Sequence, residues 1–254
     1  MVRAKKQYGQ NFLKDGAVLD KIIQAIPNDR ANIVEVGTGL GDLTARLLEI
    51  SAVRSYEIDE DLLNLLRDKF KQEISSGKLE LIFGDVLKGL KSTKNYFLVS
   101  NLPYYIATNI ILSAVDDELC EGLVVMVQRE VGLKFCAKSG DREFSSLAVI
   151  AGLYGEFEYL FDVYPSSFDP PPKVISCVIR LIKKDSPNID MDKFKSFLKI
   201  CFASPRKTLF KNLSSSFNKS LVSEVFNKLN LEINLRPHQI CNTLYINIFK
   251  NLRG

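Results

Sequence analysis

Histidine and paired cysteines are scarce in this 254-residue sequence, and their scarcity excludes several kinds of active site. The one histidine, His238, has no nearby residue that resembles a catalytic triad partner. The five cysteines are scattered and form no Cys-x-x-Cys pair, so the clustered ligands of a structural zinc site are missing. We therefore expect no metal, no triad chemistry, and thiols that stay reduced.

Long apolar runs are missing as well. No stretch approaches the roughly 18 apolar residues that a membrane span needs, and no apolar run follows the charged N-terminus. Hydrophobic residues make up 46% of the chain and charged residues 25%, which is typical of a folded globular protein. The sequence thus predicts a cytoplasmic protein with no membrane partner.

The positive charge is concentrated at one end of the chain. Residues 180–254 hold 14 Lys and Arg against 5 Asp and Glu, whereas the other residues hold 20 against 25. A basic C-terminal quarter on an acidic body is typical of a protein with a polyanion-binding appendage. The alternative is a solvated helical face that happens to be rich in lysine.

Short apolar runs alternate with helical periodicity over the first two-thirds of the chain. We predict buried strands at 33–36, 53–58, 79–83, 97–100 and 123–127. Helical periodicity covers 44–50, 61–70 and 110–114, so the pattern favours an α/β fold, a parallel sheet with helices on both faces. Two later β-rich runs, 159–163 and 176–182, have no convincing helix between them and predict an antiparallel pair at the sheet edge.

A polar segment containing a proline, residues 183–188, separates this α/β part from a region of helical apolar spacing. The change of pattern predicts two domains. The first spans residues 1–184, and the second is a small helical domain of residues 185–254.

A glycine-rich loop follows the first predicted strand, where residues 33–41 read Ile-Val-Glu-Val-Gly-Thr-Gly-Leu-Gly. Its third glycine comes one residue earlier than in the dinucleotide fingerprint, which seats a pyrophosphate on a helix N-terminus. Glu35 stands just ahead of Gly37, and a carboxylate there suits a cationic amino-acid ligand better than a phosphate. The alternative is a loop that only packs a strand against a helix.

Acidic residues end the next two strands. Glu57 lies 20 residues after Gly37, where a carboxylate can accept hydrogen bonds from the hydroxyls of a ribose. Asp85 follows the third strand and can accept the exocyclic amine of an adenine. Together with the loop, these carboxylates predict a pocket for an adenosine that bears a positively charged amino-acid tail, which is S-adenosylmethionine.

The tetrapeptide Asn-Leu-Pro-Tyr follows the fourth strand at residues 101–104. The exocyclic nitrogen of adenine is a poor nucleophile because its lone pair is delocalised into the ring. The side-chain oxygen of Asn101 and the carbonyl of Leu102 can accept its two hydrogens, Pro103 can hold the backbone, and Tyr104 offers a face for base stacking. The alternative is an ordinary turn, since these residue types are common in turns.

These motifs together resemble the ribosomal RNA small-subunit adenine dimethyltransferase family, whose bacterial member confers kasugamycin sensitivity. The likeness covers nearly the whole chain. The matching stretches are residues 8–13 (Tyr-Gly-Gln-Asn-Phe-Leu), the cofactor loop 35–41, the tetrapeptide 101–104, and residues 168–174 (Phe-Asp-Pro-Pro-Pro-Lys-Val).

The resemblance implies a Rossmann-like methyltransferase sheet, mostly parallel with an antiparallel edge strand, plus the small helical domain. It also implies methyl transfer from S-adenosylmethionine to the N6 amines of two adjacent adenosines in a 3′-terminal hairpin loop of 16S rRNA. The substrate would be an immature 30S particle, and we expect the enzyme to be a monomer. The implied cofactor residues are Asn11, Leu13, Gly37, Glu57, Asp85 and Asn101. The implied catalytic residues are Asn101, Leu102, Pro103, Tyr104 and Phe168, with Tyr104 and Phe168 sandwiching the flipped base.

Two positions depart from the family pattern. Thr38 stands where relatives often carry Pro, and we expect little consequence. Residues 203–208 are poorer in arginine than in relatives. Here Ser204 and Pro205 predict an N-cap and first helical residue, with Arg206 and Lys207 in the first turn. Two cations there oppose the helix dipole unless a phosphate offsets them, so we interpret Arg206 and Lys207, with Lys173, as RNA-binding residues. Tolerated surface charge is the alternative.

Two other functions compete with this interpretation. Erythromycin-resistance methyltransferases modify the same atom in large-subunit rRNA and share the fold and a similar tetrapeptide, but residues 168–174 favour the small-subunit enzymes. A non-catalytic RNA-binding assembly factor would not need Glu57, Asp85 and Asn101 together.

Overall fold

The computed structural model describes residue 5 and residues 10–28, 32–89, 92–184 and 188–253. The chain divides into two compact units. The first comprises Met1–Gly132 and Glu156–Lys184, and the second comprises Leu133–Gly155 and Asp185–Gly254. None of the helices in the described ranges is both long enough and apolar enough to cross a membrane.

The first unit contains a two-stranded and a seven-stranded sheet. The strands are β1 (Phe12–Leu13), β2 (Asn32–Val36), β3 (Ala52–Glu57), β4 (Leu79–Phe83), β5 (Tyr96–Asn101), β6 (Cys120–Gln128), β7 (Phe157–Val163), β8 (Phe168–Asp169) and β9 (Ser176–Ile182). The large sheet has the order β4-β3-β2-β5-β6-β9-β7, and β1 pairs with β8. Strands β2 to β6 pair in parallel, and β9 pairs antiparallel with both β6 and β7.

The predicted α/β class with a mostly parallel sheet is confirmed. All five predicted parallel strands form, and the two later runs form the predicted antiparallel pair. The strand that runs against the others, β9, lies second from the edge, because β7 pairs on its outer side. Burial explains why the central strands were recognisable: residues 97–99 of β5 and 123–127 of β6 are fully buried, so they read as continuous apolar runs.

Helices connect the strands of the first unit. They are α1 (Gly16–Gln24), α2 (Asp42–Ile50), α3 (Glu60–Lys69), α4 (Lys71–Ser75) and α5 (Ala107–Asp116), while α6 (Arg129–Cys136) runs on from β6 past the division between the units. Apolar side chains on α1, α2 and α3 pack with β2 and β3 in one core. Each predicted helix is present: α2 begins two residues before its periodic stretch, α3 is shifted by one residue at the same length, and α5 extends its stretch at both ends.

The second unit is built from helices around an aromatic core. Its helices are α7 (Ser146–Ala151), α8 (Met191–Cys201), α9 (Leu209–Leu213), α10 (Lys219–Lys228) and α11 (Asn242–Arg253). Phe194, Phe197 and Phe249 meet with ring centroids 5.2 to 5.9 Å apart. Phe144 and Val149 belong to the same core, so the segment 133–155 counts with the second unit although the sequence division placed it in the first domain. Its place in the chain, between two sheet strands, hides this packing. The functional assignment of the two domains stays a prediction.

Candidate active site

A cleft opens at the carboxyl ends of β2, β3, β4 and β5, where the chain passes from one side of β2 to the other. Ligands of open α/β sheets bind at this kind of switch point. Nine of the predicted site residues line it: Asn11, Leu13, Gly37, Glu57, Asp85, Asn101, Leu102, Pro103 and Tyr104. Residues far apart in the sequence are thus brought together by the ends of parallel strands.

The glycine loop is shaped by close contacts that only glycine permits. Gly41 adopts a left-handed conformation with φ 77° at the start of α2, and a Cβ there would lie 2.5 Å from Phe70 Cε2. Gly39 has φ 59°, and a Cβ there would lie 3.2 Å from Phe12 Cδ1. The Gly39 N–H donates to Glu57 Oε2 at 2.9 Å. The loop is therefore held directly against the acidic end of β3.

Glu57 is buried and already accepts three backbone hydrogen bonds. Its Oε1 accepts from the N–H groups of Ile58 (2.9 Å) and Asp59 (2.8 Å), and its Oε2 accepts from Gly39. Burial raises the pKa of this carboxyl, and the three N–H groups oppose that rise. Because a carboxylate offers about four acceptor positions, the arrangement leaves one on Oε2 for a ligand. Asp85, at the end of β4, is half-buried, and its Oδ1 accepts from the Leu87 N–H at 3.0 Å.

Glu35 lies deeper and is engaged by protein hydroxyls. Its Oε2 accepts hydrogen bonds from Thr44 Oγ1 and Ser55 Oγ, both at 2.7 Å. Thr38 Oγ1 lies 2.7 Å from Ser55 Oγ, so the glycine loop joins this buried chain through a hydroxyl that proline would lack. Burial raises the pKa of Glu35 to about 7, and the two hydroxyls and Lys69 counter part of that rise while Glu57 adds to it.

The raised pKa of Glu35 predicts a pH-dependent stability that Glu35→Gln removes. Between about pH 4.5 and about pH 7, the folded protein keeps a proton on Glu35 that the unfolded chain has lost, so this group's contribution to stability falls as pH rises. The shift corresponds to about 3 kcal/mol. We expect the free energy of unfolding of the wild type, relative to Glu35→Gln, to fall by about that amount. Urea unfolding at a series of pH values measures it, and parallel curves for the two proteins would contradict it.

Asn101 ends β5 and is oriented by the N-terminal segment. Its Nδ2 donates to the backbone carbonyl of Asn11 at 3.1 Å, which turns its Oδ1 away from that carbonyl. The Leu102 N–H donates to the Met126 carbonyl at 3.1 Å and continues the pairing of β5 with β6. Pro103 Cγ would lie 3.6 Å from a Cβ on Gly37, so the tetrapeptide packs directly against the glycine loop. The turn is thus fixed on three sides.

Tyr104 is anchored by a residue that the sequence analysis did not single out. Its hydroxyl lies 2.6 Å from Ser176 Oγ, and Ser176 is fully buried where β9 begins, opposite Gln128 and Val163. Burial raises the pKa of Tyr104. Phe168, the predicted partner of Tyr104 in sandwiching the base, is not among the residues that line the cleft. It is 5% exposed, and it pairs through β8 with Leu13 and packs in the core of the first unit.

The N-terminal segment is tied to the acidic end of β3 by charged and polar side chains. Lys5 Nζ and Gln10 Nε2 donate to the two carboxylate oxygens of the fully buried Asp59 at 2.6 and 2.8 Å. Burial favours a higher pKa for Asp59, but the hydrogen bonds from Lys5 and Gln10 outweigh burial. The pKa of Asp59 therefore lies below its ordinary value. Asp59 lies two residues after Glu57, which ends β3, and a second carboxylate at that strand end is the sequence signal that could have identified it. Tyr8 and Gly9 of the predicted N-terminal motif lie outside the described residues.

The predicted RNA-binding cations are all exposed, and one local prediction is wrong. Arg206 and Lys207 do not lie in the first turn of a helix. Residues 204–207 form a turn in which the Lys207 N–H donates to the Ser204 carbonyl, and α9 begins at Leu209 with Thr208 as its N-cap. Thr208 outcompetes Ser204 because its hydroxyl reaches the Lys211 N–H. Within the part of the chain that the structure describes, no group of three or more acidic, histidine or cysteine side chains could hold a metal.

Known proteins are similar to this chain over nearly its full length. The family described as ribosomal RNA adenine dimethylase matches residues 1–252. The ribosomal RNA small subunit methyltransferase A of Campylobacter hominis is 55% identical over 262 residues, covering 100% of this chain and 97% of that protein. The protein of the same name from Campylobacter jejuni strain RM1221 is 53% identical over 258 residues, covering 100% and 96%.

Two solved structures share the fold. A dimethyladenosine transferase from Plasmodium falciparum superimposes with a TM-score of 0.82 at 26% identity, covering 93% of this chain and 95% of that one. The 23S rRNA methyltransferase ErmE superimposes with a TM-score of 0.76 at 24% identity, covering 96% and 100%, a likeness that shows the fold alone.

Proposed function

The chain belongs to the ribosomal RNA adenine dimethylase family, and from this membership we propose that it dimethylates the N6 amines of two adjacent adenosines. The relatives at 53% and 55% identity are named as small-subunit enzymes, so the RNA is 16S rRNA. The target is the 3′-terminal hairpin loop, presented by an immature 30S particle, and the enzyme works as a monomer in the cytoplasm. The likeness to ErmE extends to the fold and gives no ground for a large-subunit substrate.

The donor set of the cleft fits S-adenosylmethionine. The remaining acceptor position of Glu57 suits a ribose hydroxyl, and Asp85 suits the adenine amine. Three uncharged residues line the same cleft and offer backbone groups to the ligand: Gly37, Asn11 and Leu13. When bound, S-adenosylmethionine supplies a methyl group activated by a positively charged sulfur. The acidic ends of β3 and β4 favour a ligand of that charge.

The observation that carries the proposed chemistry is the hydrogen bond from Asn101 to the Asn11 carbonyl. Because that bond uses the Asn101 Nδ2, the Oδ1 is the atom left to accept a hydrogen of the target amine. The Leu102 carbonyl accepts the other hydrogen, and Pro103 keeps the turn rigid. With both hydrogens held, the lone pair of the nitrogen is withdrawn from the ring and directed at the methyl group. After the transfer the nitrogen carries a positive charge that makes its N–H strongly acidic, so the proton passes to solvent without a catalytic base, and alignment supplies most of the acceleration.

Tyr104 provides a stacking face for the flipped adenine, held in place by Ser176. We retain Phe168 as the opposing ring, which requires it to leave the core position described above when RNA binds. Arg206, Lys207 and Lys173 are proposed phosphate contacts, consistent with the exposure of all three and with the basic balance of residues 180–254.

The product of the reaction tests this proposal. Purified enzyme with methyl-labelled S-adenosylmethionine and unmodified small subunits should yield N6,N6-dimethyladenosine in nuclease digests of the 16S rRNA, identified by mass. Unmodified RNA, or methylation at a ring nitrogen, would contradict it.

A further inference from the structure

The carboxyl edge of the sheet in the first unit carries an unusual share of exposed apolar side chains. Ten large apolar residues of the described ranges are exposed, and six of them lie at this edge. The six are Ile58, Phe83, Leu87, Tyr105, Tyr164 and Val174. Exposed apolar residues scattered singly need no explanation, but their concentration beside a cleft indicates an interaction surface.

The two halves of this edge differ in chemistry. The half formed by β3 and β4 ends in the carboxylates Glu57 and Asp85, which the cofactor uses under the proposed function. The half formed by β5, β6, β7 and the start of β9 combines tyrosines with cations. We call this second half the tyrosine rim, defined by Tyr105, Arg129, Tyr164 and Lys173.

The register of the strands brings the rim close to Tyr104. Ser176 pairs with Gln128 of β6 on one side and with Val163 of β7 on the other, so Arg129 and Tyr164 are the next residues beyond those two partners. The Arg129 N–H also donates to the Ile175 carbonyl at 3.0 Å. Arg129 and Tyr164 therefore flank the strand position that anchors the Tyr104 hydroxyl.

The Arg129 guanidinium is held in a defined direction. Its Nε lies 3.5 Å from Asp162 Oδ1, and Asp162 also accepts a hydrogen bond from the Tyr159 hydroxyl. The Arg129 side chain nonetheless remains 50% exposed. Tyr164 and Tyr105 are each 58% exposed, whereas the Tyr104 hydroxyl is anchored by Ser176. An oriented cation beside an exposed tyrosine ring such as that of Tyr164 is the combination that binds single-stranded nucleotides, by phosphate contact and base stacking.

We propose that the tyrosine rim binds the single-stranded nucleotides that flank the target adenosine, with Tyr164 stacking on a base and Arg129 contacting a phosphate. This deepens the proposed function, on which it rests. A flipped adenosine needs its neighbours held in place, since extrusion costs stacking energy that other contacts must offset. The rim supplies those contacts within the first unit, separately from Arg206 and Lys207.

Equilibrium binding to unmodified small subunits, measured as a function of salt, tests the rim. Tyr164→Ala should weaken binding at least fivefold, since stacking on one base is worth about 1–3 kcal/mol. Tyr164→Phe, which keeps the ring, should bind like the wild type. Arg129→Ala should lower the log–log salt slope by about 0.7–0.9, the value for one phosphate contact. Calorimetry with S-adenosylmethionine confirms that each variant is folded, because the cofactor affinity should not change.

Two control variants remove an arginine and an exposed apolar side chain at positions outside the tyrosine rim. Arg54→Ala removes an arginine of β3 paired with Glu80 at 2.7 Å, and Ile50→Ala removes an apolar side chain, 51% exposed, at the end of α2. Both should bind as the wild type does. The proposal is overturned if Tyr164→Ala binds within twofold of the wild type, if Tyr164→Phe loses as much as Tyr164→Ala, or if the controls lose as much as the rim variants. Methyl transfer by the wild type is scored separately, so its absence would count against the proposed function and not against the rim.

Discussion

Replacing Asn101 by alanine should slow methyl transfer about a hundred- to a thousandfold while leaving RNA binding close to that of the wild type. The loss of one preorganised hydrogen bond to a reacting group costs about 2.7–4 kcal/mol of transition-state stabilisation. In this protein the preorganisation is visible, since the Asn11 carbonyl holds the Asn101 amide at 3.1 Å. Under the proposed function RNA affinity comes from many phosphate contacts, whereas Asn101 would touch one base.

Single-turnover transfer with cofactor and small subunits both saturating measures this effect without interference from binding. Asn95→Ala is the matched control, because Asn95 lies just before β5 at its other end and its Nδ2 bonds to Glu121 instead. The control should react at the wild-type rate. A rate for Asn101→Ala within threefold of the wild type would remove Asn101 from the chemical step.

Replacing Glu57 by glutamine should weaken S-adenosylmethionine binding by about 10- to 150-fold. A hydrogen bond to a charged group is worth about 1.5–3 kcal/mol, and three of the acceptor positions of Glu57 are already taken by backbone N–H groups. The glutamine amide nitrogen cannot accept a hydrogen bond, so the ribose contact or one of the N–H partners loses its acceptor.

Calorimetry with S-adenosylmethionine gives the affinity directly. Glu80→Gln serves as the control, because Glu80 pairs with Arg54 on the exposed part of β4 and does not line the cleft. Unchanged affinity in a folded Glu57→Gln protein would exclude Glu57 from the site. A loss far above 150-fold would show that both ribose hydroxyls bind the carboxylate. That result would contradict the inference that Glu57 has one acceptor position left for a ligand.

The sequence was most informative where one physical demand determines the residue type. Strands β5 and β6 are buried on both faces and therefore read as apolar runs. Gly41 must adopt a positive φ beside Phe70, and Glu57 must end a strand at the switch point, so both positions carry a visible signal. These local demands were enough to predict the large sheet and the acidic strand ends of the cleft, whereas Asn11 and Leu13 were implied by the family resemblance.

The rest depended on contacts between distant residues. Nothing in the neighbourhood of Ser176 indicates that its hydroxyl meets Tyr104, 72 positions earlier in the chain. The segment 133–155 was assigned by its place between two strands, but Phe144 and Val149 pack with the helices of the second unit. At residues 204–208, Ser204 and Thr208 are both possible N-caps, and α9 begins after Thr208, whose hydroxyl accepts from the Lys211 N–H.

Which RNA the enzyme methylates is the most direct test of the proposed function. Enzyme, methyl-labelled S-adenosylmethionine, unmodified small subunits and unmodified large-subunit RNA are combined in one reaction, and the labelled nucleotides are located by primer extension. Label is expected at two adjacent adenosines in the 3′-terminal hairpin loop of 16S rRNA, each dimethylated. Label confined to the large-subunit RNA would contradict the proposed function.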